Sequence, residues 1–256
     1  MNVIHDSVEA VQDDDAKVPG TGRDRRRVAT SARILEAAVR IAGEEGVEAL
    51  TMQRLGDALG YRAGALYRYY PSKDALLAAL LARIVGEASG MVREAVRDAE
   101  GIASRARRPL SGRARALLPI VLAARGYLAL AEAQPAQMAL LVRAIAAPRP
   151  VVDDAAASEV AQATLALLRE AGALFAAARE AGALDEGDDL PRVVLLWSAL
   201  HGVVGSRKLA RFGIGALTPA ALVAELVRAL LVGWGARRED VDDGLERAAR
   251  AVQREG

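Results

Sequence analysis

The chain has 256 residues, of which 52% are hydrophobic and 26% are charged, and it has no cysteine. This composition supports a large buried core, and the lack of cysteine excludes disulfides, thiolate nucleophiles and cysteine-ligated metals. The net charge is only +1, but residues 23–83 carry eleven Lys and Arg against seven acids, whereas residues 1–22 carry one Lys against five acids. A positive region on a nearly neutral chain is a weak indication of phosphate binding.

Hydrophobic periodicity predicts an all-α protein, because helix-forming residues dominate and no segment alternates with period two. The acidic start Met1–Asp15 does not resemble a signal peptide. The longest uncharged run, Val193 to Ser206, has fourteen residues and is too short to span a membrane. We therefore expect a soluble cytoplasmic protein without a membrane partner.

In chain order, residues 1–27 lack apolar periodicity and are predicted to be a disordered extension. A first helix is predicted from Thr30, with Ile34, Ala38 and Ile41 on one face and with Gly46 as its stop.

Thr51 is the predicted N-cap of a short helix that ends at Leu59. After Gly60 and Tyr61, a second short helix is predicted over residues 62–70. Ser72 then caps a long helix that reaches about Ala99.

Proline and glycine divide the rest of the chain into further predicted helices. These are 113–133, 135–146, 154–181, 189–212 and 218–235. Pro119 marks either the true start of the first of them or a kink within it. The charged final residues 236–256 are predicted to form a loose helix or a tail.

Two helices of about two turns, joined by a glycine-containing turn, make a helix-turn-helix. Leu55, Leu59 and Leu66 can face the first helix, which leaves polar residues outward. A helix over 62–69 would span roughly 12 Å, about the width of a DNA major groove. The spacing therefore permits a DNA-reading helix here.

Basic residues stand at three predicted helix starts: Arg54, Arg62 and Lys73. A helix N-terminus is itself positive, so a basic side chain there is electrostatically unfavourable. An external phosphate would be attracted by both positive groups and would relieve this repulsion. The alternative is that all three are solvated surface charges.

Four of the five tyrosines lie at positions 61, 67, 69 and 70. A phenol among arginines can donate to a phosphate, and we assign this role to Tyr67 and Tyr69. The alternative is that the rings fill the core of a small domain, and we favour it for Tyr70.

The segment Arg33-Ile34-Leu35-Glu36-Ala37-Ala38, followed by Leu50-Thr51-Met52 and by the run from Leu66 to Leu76, resembles the N-terminal domain of TetR/AcrR regulators. The resemblance covers about 45 residues, and its Leu-Tyr-x-x-aromatic-x-Ser-Lys-x-x-Leu end is highly specific. It implies a three-helix DNA-binding domain at 28–75 and a larger helical ligand-binding and dimerisation domain at 76–235. The expected function is a homodimeric repressor that binds a palindromic operator and is released by a small apolar effector.

The resemblance implies roles for particular side chains. Thr51, Tyr67 and Lys73 match phosphate-contacting positions. Positions that often meet bases or the adjacent backbone are matched by Gln53, Arg62, Ala63 and Tyr69. Together with Arg54, these residues form the predicted DNA surface.

Two departures from the family pattern concern the reading helix. It begins with Arg62-Ala63 where the family usually has Ser or Thr, which leaves its cap in doubt. Ala65 stands where a Thr is common, which removes a hydroxyl that could reach phosphate. Just before the first helix, the run Arg23, Arg25, Arg26 and Arg27 is either a minor-groove arm or a solvated linker.

The body is expected to hold the effector and the dimer interface. Candidate ligand contacts are Tyr127, Met138, Arg143, Phe175 and Trp197, although such side chains also serve as ordinary core. The resemblance implies dimerisation through the last two long helices, where the candidate interface positions are Leu196, Leu200, Leu222, Leu226 and Leu230. The alternative is that these residues form only the core within one chain.

We expect no enzyme activity, cofactor or metal. His201 lacks a partner in any known catalytic pattern and is interpreted as a hydrogen-bonded core or interface residue. The acidic run from Asp185 to Asp189 is interpreted as a solvated loop. The alternative function is a helical small-molecule-binding protein that no longer reads DNA.

Overall fold

A computed structural model describes residues 22–106, 108–146 and 154–255 of the chain, and it is all-helical over these ranges. The helices are α1 (Gly22–Glu44), α2 (Met52–Leu59), α3 (Ala63–Leu66), α4 (Lys73–Ser104), α5 (Gly112–Ala133), α6 (Pro135–Ala146), α7 (Asp154–Glu180), α8 (Asp189–Gly205), α9 (Pro219–Gly233) and α10 (Arg238–Glu255). Short 3₁₀ turns at Arg207–Phe212 and Gly215–Leu217 lie between α8 and α9.

Local hydrogen bonds at the helix ends explain where the N-terminal helices begin and stop. Gly46, with φ 95°, follows the end of α1. The Thr51 hydroxyl accepts from the amide of Arg54 at 3.0 Å, and the Ser72 hydroxyl accepts from the amide of Ala75 at 3.0 Å. Each cap satisfies an amide that the helix leaves unpaired. The predicted stop at Gly46 and both predicted caps are confirmed.

The helices α1–α3 and the first turns of α4 enclose one apolar core, which we call the head. The predicted inward residues of α1 are buried, and Leu55 and Leu66 are fully buried beneath the helix-turn-helix. Leu140 of α6 joins this cluster, so the head core is completed by a helix from the rest of the chain.

The remaining helices form the body, which is built around α5. Leu117, Leu118, Ile120 and Val121 of α5 are all almost completely buried. Pro119 lies inside α5, which continues on both sides of it. Proline there did not mark the start of the helix.

Two terminal regions are more regular than we predicted. Residues 22–27, expected to be disordered, form the first turns of α1, because arginine is a good helix former and extension of an anchored helix adds one hydrogen bond per residue. The rest of that extension, residues 1–21, lies outside the described residues. Residues 238–255 form α10, whose Val241 and Ala248 are fully buried against the body core. These two residues are seven apart and share one helix face. The many charged residues between them made this apolar face difficult to identify from the sequence.

The predicted helix over 189–212 is also divided in the structure. The helix α8 ends at Gly205, where the amide of Ser206 reaches back to the carbonyls of Gly202 and Val203. A 3₁₀ turn then covers Arg207–Phe212.

Three described helical stretches are long and apolar enough to cross a membrane when only length and composition are considered: Lys73–Ser104, Gly112–Ala133 and Ala157–Glu180. The sequence does not show these stretches as uncharged runs, because the apolar part of each helix can hold up to two charged residues. In this fold α4, α5 and α7 pack against one another. The share of each apolar window that is buried is 56% in α4, 44% in α5 and 17% in α7.

Candidate nucleic-acid interface and ligand cavity

The turn between α2 and α3 is held in one conformation by glycine and by a backbone hydrogen bond. Gly60 has φ 70°, a left-handed conformation that disfavours side chains. The amide of Tyr61 donates to the carbonyl of Gly56 at 2.9 Å. A Cβ atom on Gly56 would lie 2.6 Å from the Tyr61 carbonyl oxygen. The sequence therefore fixes the angle between the two helices through these glycines.

The helix α3 is shorter than predicted and covers only Ala63–Leu66. The chain keeps winding after it, because the amides of Tyr69 and Tyr70 both donate to the carbonyl of Leu66. Arg62 is its N-cap residue and makes no capping side-chain hydrogen bond, as we expected from the missing Ser or Thr. Without that cap, one free amide at the helix start is left available to an external acceptor.

The predicted DNA-contacting residues divide by exposure into two groups. Thr51, Gln53, Arg62 and Tyr67 are exposed, and half of the Tyr67 side chain is open to solvent. The half-buried group comprises Arg54, Ala63, Tyr69 and Lys73.

Two of the three cations at helix starts have partners within the protein. The Arg54 guanidinium binds the Glu45 carboxylate at 2.6 Å and 3.2 Å, and this hydrogen bond holds the pKa of Glu45 below its usual value. The Lys73 ammonium donates to the carbonyl of Val47 at 3.0 Å. Because Glu45 already balances the charge of Arg54, a basic residue at the start of α2 does not require a bound phosphate.

The tyrosines of this region have different environments. Tyr70 is buried and its hydroxyl lies 2.6 Å from that of Ser31, so the interpretation of Tyr70 as a core residue is confirmed. Tyr69 packs partly against the head core, whereas Tyr67 projects into solvent. The four arginines at positions 23, 25, 26 and 27 are exposed on the first turns of α1.

An apolar cavity of about 510 Å³ lies in the body between α4, α5, α6, α7 and α8. Four of the five predicted ligand contacts line it: Tyr127, Met138, Phe175 and Trp197. The side chain of Arg143 lies outside the described residues. Among the described side chains that line the cavity, none is charged.

Sequence reasoning missed the α4 wall of this cavity, which is formed by Leu81, Ile84, Val85 and Ala88. It also missed the part of the wall contributed by α7. Apolar residues at helical spacing fit a filled core equally well, so the sequence carries no signal that distinguishes core from cavity wall.

His201 lies behind the cavity wall and contacts Tyr127. The Tyr127 hydroxyl oxygen is 2.9 Å from Nδ1 and 3.0 Å from Nε2 of His201. His201 also packs edge-on against Trp197, with ring centroids 4.5 Å apart. The interpretation of His201 as a hydrogen-bonded residue is confirmed.

The helix α6 contacts both the head and the cavity. Its Ala136 packs so closely against α1 that a Cβ atom on Gly43 would lie 2.8 Å from the Ala136 Cα atom. Its Met138 and Leu141 line the cavity. The helix therefore joins the two regions directly.

The outward faces of α8 and α9 carry exposed apolar side chains, among them Leu195 and Val232. Two predicted interface residues, Leu196 and Leu200, are instead buried in the body core, because residues four apart share the inward face of α8. The prediction for those two residues was wrong.

No group of three or more His, Asp or Glu side chains suited to a metal ion occurs in the described ranges. In the acidic loop, Asp189 is partly buried and pairs with Arg179 at 3.3 Å.

A helix-turn-helix head on a helical body with an apolar cavity is typical of one-chain DNA-binding regulators. Residues 34–80 match bacterial regulatory proteins of the tetR family, and residues 120–230 match the tetracyclin repressor-like C-terminal domain. The chain belongs to the TetR family of DNA-binding transcriptional regulators.

Two curated relatives are repressors. The chain is 47% identical over 55 residues to the HTH-type transcriptional repressor DrrR1 of Streptomyces coeruleorubidus, covering 22% of this chain and 20% of that protein. It is 43% identical over 61 residues to the HTH-type transcriptional repressor KstR of Mycobacterium tuberculosis, covering 24% and 26%. The matched segments thus span less than a third of either relative.

A solved structure shares the fold over most of the chain. The fatty acid degradation regulator FadR from Bacillus halodurans is 17% identical with a TM-score of 0.59, covering 81% of this chain and 97% of that chain.

Proposed function

We propose that this chain is a ligand-responsive repressor that binds a palindromic operator as a homodimer and releases it when a small apolar effector enters the body. The carrying observation is that a single helix, α4, begins beside the exposed reading surface and lines the apolar cavity farther along. A regulator of this kind works in the cytoplasm, where its DNA is.

The exposed polar groups of the head suit contacts with phosphate and bases. The Thr51 hydroxyl accepts a capping bond but keeps its proton for a phosphate oxygen. Lys73 uses one of its three donors on Val47 and keeps two. Tyr67 can donate its phenol proton to a neighbouring phosphate.

The base-reading side chains are Gln53 and Arg62. A Gln amide can pair bidentately with adenine, and an Arg with guanine. Ala63 and Tyr69, which are half-buried, would contact the adjacent backbone. We expect Arg54 to contribute least, because Glu45 already neutralises it.

The homodimer is proposed to form through α8 and α9. Gly202, Gly205 and Gly233 have no neighbour within 4 Å of an added Cβ atom, so the helix surface there is open to close approach. Exposed Leu195 and Val232 supply apolar area on the same two helices. Two heads are needed because one head makes few base contacts.

Release of DNA is proposed to follow from movement of α4 and α6. Leu81, a cavity residue, is eight residues beyond Lys73, or roughly 12 Å along α4. An effector that displaces α4 would change the separation of the two heads. The mismatch with the operator half-sites would then lower affinity.

The proposal is tested by fluorescence anisotropy with DNA from the intergenic region beside the gene, at several salt concentrations and with random competitor. Tyr67→Phe combined with Lys73→Ala should weaken operator binding by roughly 10- to 100-fold, since two charge-assisted contacts are lost per protomer. The salt slope should fall by about one for each phosphate contact that a protomer loses through Lys73.

Lys208→Ala is the matched control, because it removes an exposed cation on the 3₁₀ turn after α8. It should leave the affinity and the salt slope unchanged. If random DNA competes as well as the operator for the unaltered protein, a genome-wide fragment selection follows. Failure to select any sequence would favour a helical ligand-binding protein that does not read DNA.

A further inference from the structure

The wall of the apolar cavity has one corner where polar groups meet. The Tyr127 hydroxyl lies 3.0 Å from the Met138 sulfur and within 3.0 Å of both ring nitrogens of His201. Elsewhere in the described lining, the Thr164 hydroxyl is already used, since it donates to the carbonyl of Val160 at 2.8 Å. A ligand would therefore find its hydrogen-bonding partner at Tyr127.

The contacts of His201 assign the proton positions in this corner. His201 Nδ1 lies 3.0 Å from the carbonyl oxygen of Trp197, which can only accept, so Nδ1 carries the ring proton. The single proton of the Tyr127 hydroxyl can then be donated to Nε2 of His201 or to the Met138 sulfur, each of which lies 3.0 Å from the Tyr127 oxygen. Burial lowers the pKa of His201 and raises the pKa of Tyr127, so both groups are neutral near pH 7.

Because its one proton is donated to His201 or to Met138, the Tyr127 oxygen keeps lone pairs that can accept a hydrogen bond from a ligand. An alcohol can donate to this oxygen, whereas an ether of the same chain cannot. A carboxylate would lose its hydration without meeting a cation among the described lining residues. The corner therefore favours an uncharged donor.

The cavity has room for a small ligand. Its volume of about 510 Å³ lies within the roughly 300–1,000 Å³ that small-molecule sites occupy. Its remaining wall is almost entirely aliphatic and aromatic.

On the basis of the proposed function, we propose that the effector is an uncharged amphiphile with one hydroxyl group, which donates to the Tyr127 oxygen while the hydrocarbon part of the effector fills the cavity. The chemical class is a medium-chain alcohol or an alicyclic alcohol of similar size.

The test measures displacement of the fluorescent probe N-phenyl-1-naphthylamine from the full-length protein without DNA. The competitors are 1-dodecanol, its methyl ether and dodecanoate. The unaltered protein should bind the alcohol roughly 5- to 10-fold more tightly than the ether, the value of one net hydrogen bond. It should bind dodecanoate more weakly than the alcohol.

Tyr127→Phe keeps the ring and should abolish the preference for the alcohol over the ether while the probe still binds. Thr164→Val removes the other cavity hydroxyl and should keep the preference. Equal affinity for alcohol and ether, tighter binding of dodecanoate, or an unchanged preference in Tyr127→Phe would overturn the inference. Because DNA is absent, these outcomes do not depend on whether the head reads an operator.

Discussion

The head and the body both bury apolar side chains, but they use their interiors differently. In the head, Ile34, Ile41, Leu50, Leu55 and Leu66 are fully buried in one cluster. In the body, long helices of similar apolar character surround about 510 Å³ of open space. The head presents its predicted binding groups on an outer surface, whereas the cavity of the body has its few polar groups on an inner wall.

Under the proposed function, this difference would let one chain combine a rigid reader of DNA with an adaptable ligand receptor. A filled core fixes the backbone of the helix-turn-helix, so that exposed side chains such as Tyr67 and Arg62 project from defined positions, which direct readout requires. A cavity leaves its lining helices with fewer contacts on one side, so that they can move when a ligand enters. The helices α4 and α6 connect the two regions.

The largest expected effect is a difference in unfolding free energy between a Leu→Ala substitution in the filled core of the head and one beside the cavity. Leu55→Ala should lower the free energy of unfolding by about 3 kcal/mol, because it removes a fully buried side chain from a closely packed core. Leu167→Ala should lower it by only about 1 kcal/mol, because Leu167 is half-buried and already borders open space. Urea unfolding at one protein concentration measures both.

Equal losses for these two variants would contradict the comparison. They would mean that the lining of the cavity is packed as tightly as the head core.

A smaller effect concerns the contact between the two regions. Gly43→Ala should destabilise the protein by about 1–2 kcal/mol, because the new methyl group collides with the backbone of α6 at Ala136. It should also weaken the link between effector binding and DNA release. Thermal unfolding and operator anisotropy with and without effector check the two parts.

Gly86→Ala is the matched control for helix propensity, because nothing lies within 4 Å of an added Cβ atom there. It should be neutral or stabilise the protein by up to about 1 kcal/mol. If both variants were destabilised to a similar extent, the effect of Gly43→Ala could not be attributed to the contact between α1 and α6.

The smallest effect is a pH dependence confined to the body. Burial lowers the pKa of His201 below its ordinary value of 6.5, so the unfolded chain takes up the proton more readily than the folded chain. The stability contributed by neutral His201 is therefore present above about pH 6.5 and is lost as the pH falls below it.

His201→Gln should reduce the change in the urea midpoint between roughly pH 8 and roughly pH 5. If the variant keeps the full pH dependence of the unaltered protein, other groups are responsible and His201 is not buried as neutral imidazole.

Much of the head could be predicted because its signals are local. Thr51, Ser72 and Gly46 act through hydrogen bonds or dihedral angles within a few residues, so their positions in the sequence already set the helix ends. The partners of Arg54 and Lys73 could not be predicted. Glu45 and the Val47 carbonyl approach them only after α1 and α2 have packed.

The sequence by itself determined the helical class, the helix-turn-helix and four lining residues of the cavity. Helix ends and periodic apolar faces depend on residues close together in the sequence, so they can be identified before the fold is known. The tertiary structure alone decided which apolar faces fill a core and which enclose a cavity. It also decided that Tyr127 and His201, 74 residues apart, share a hydrogen bond. Such contacts depend on how long helices cross, which no short stretch of sequence encodes.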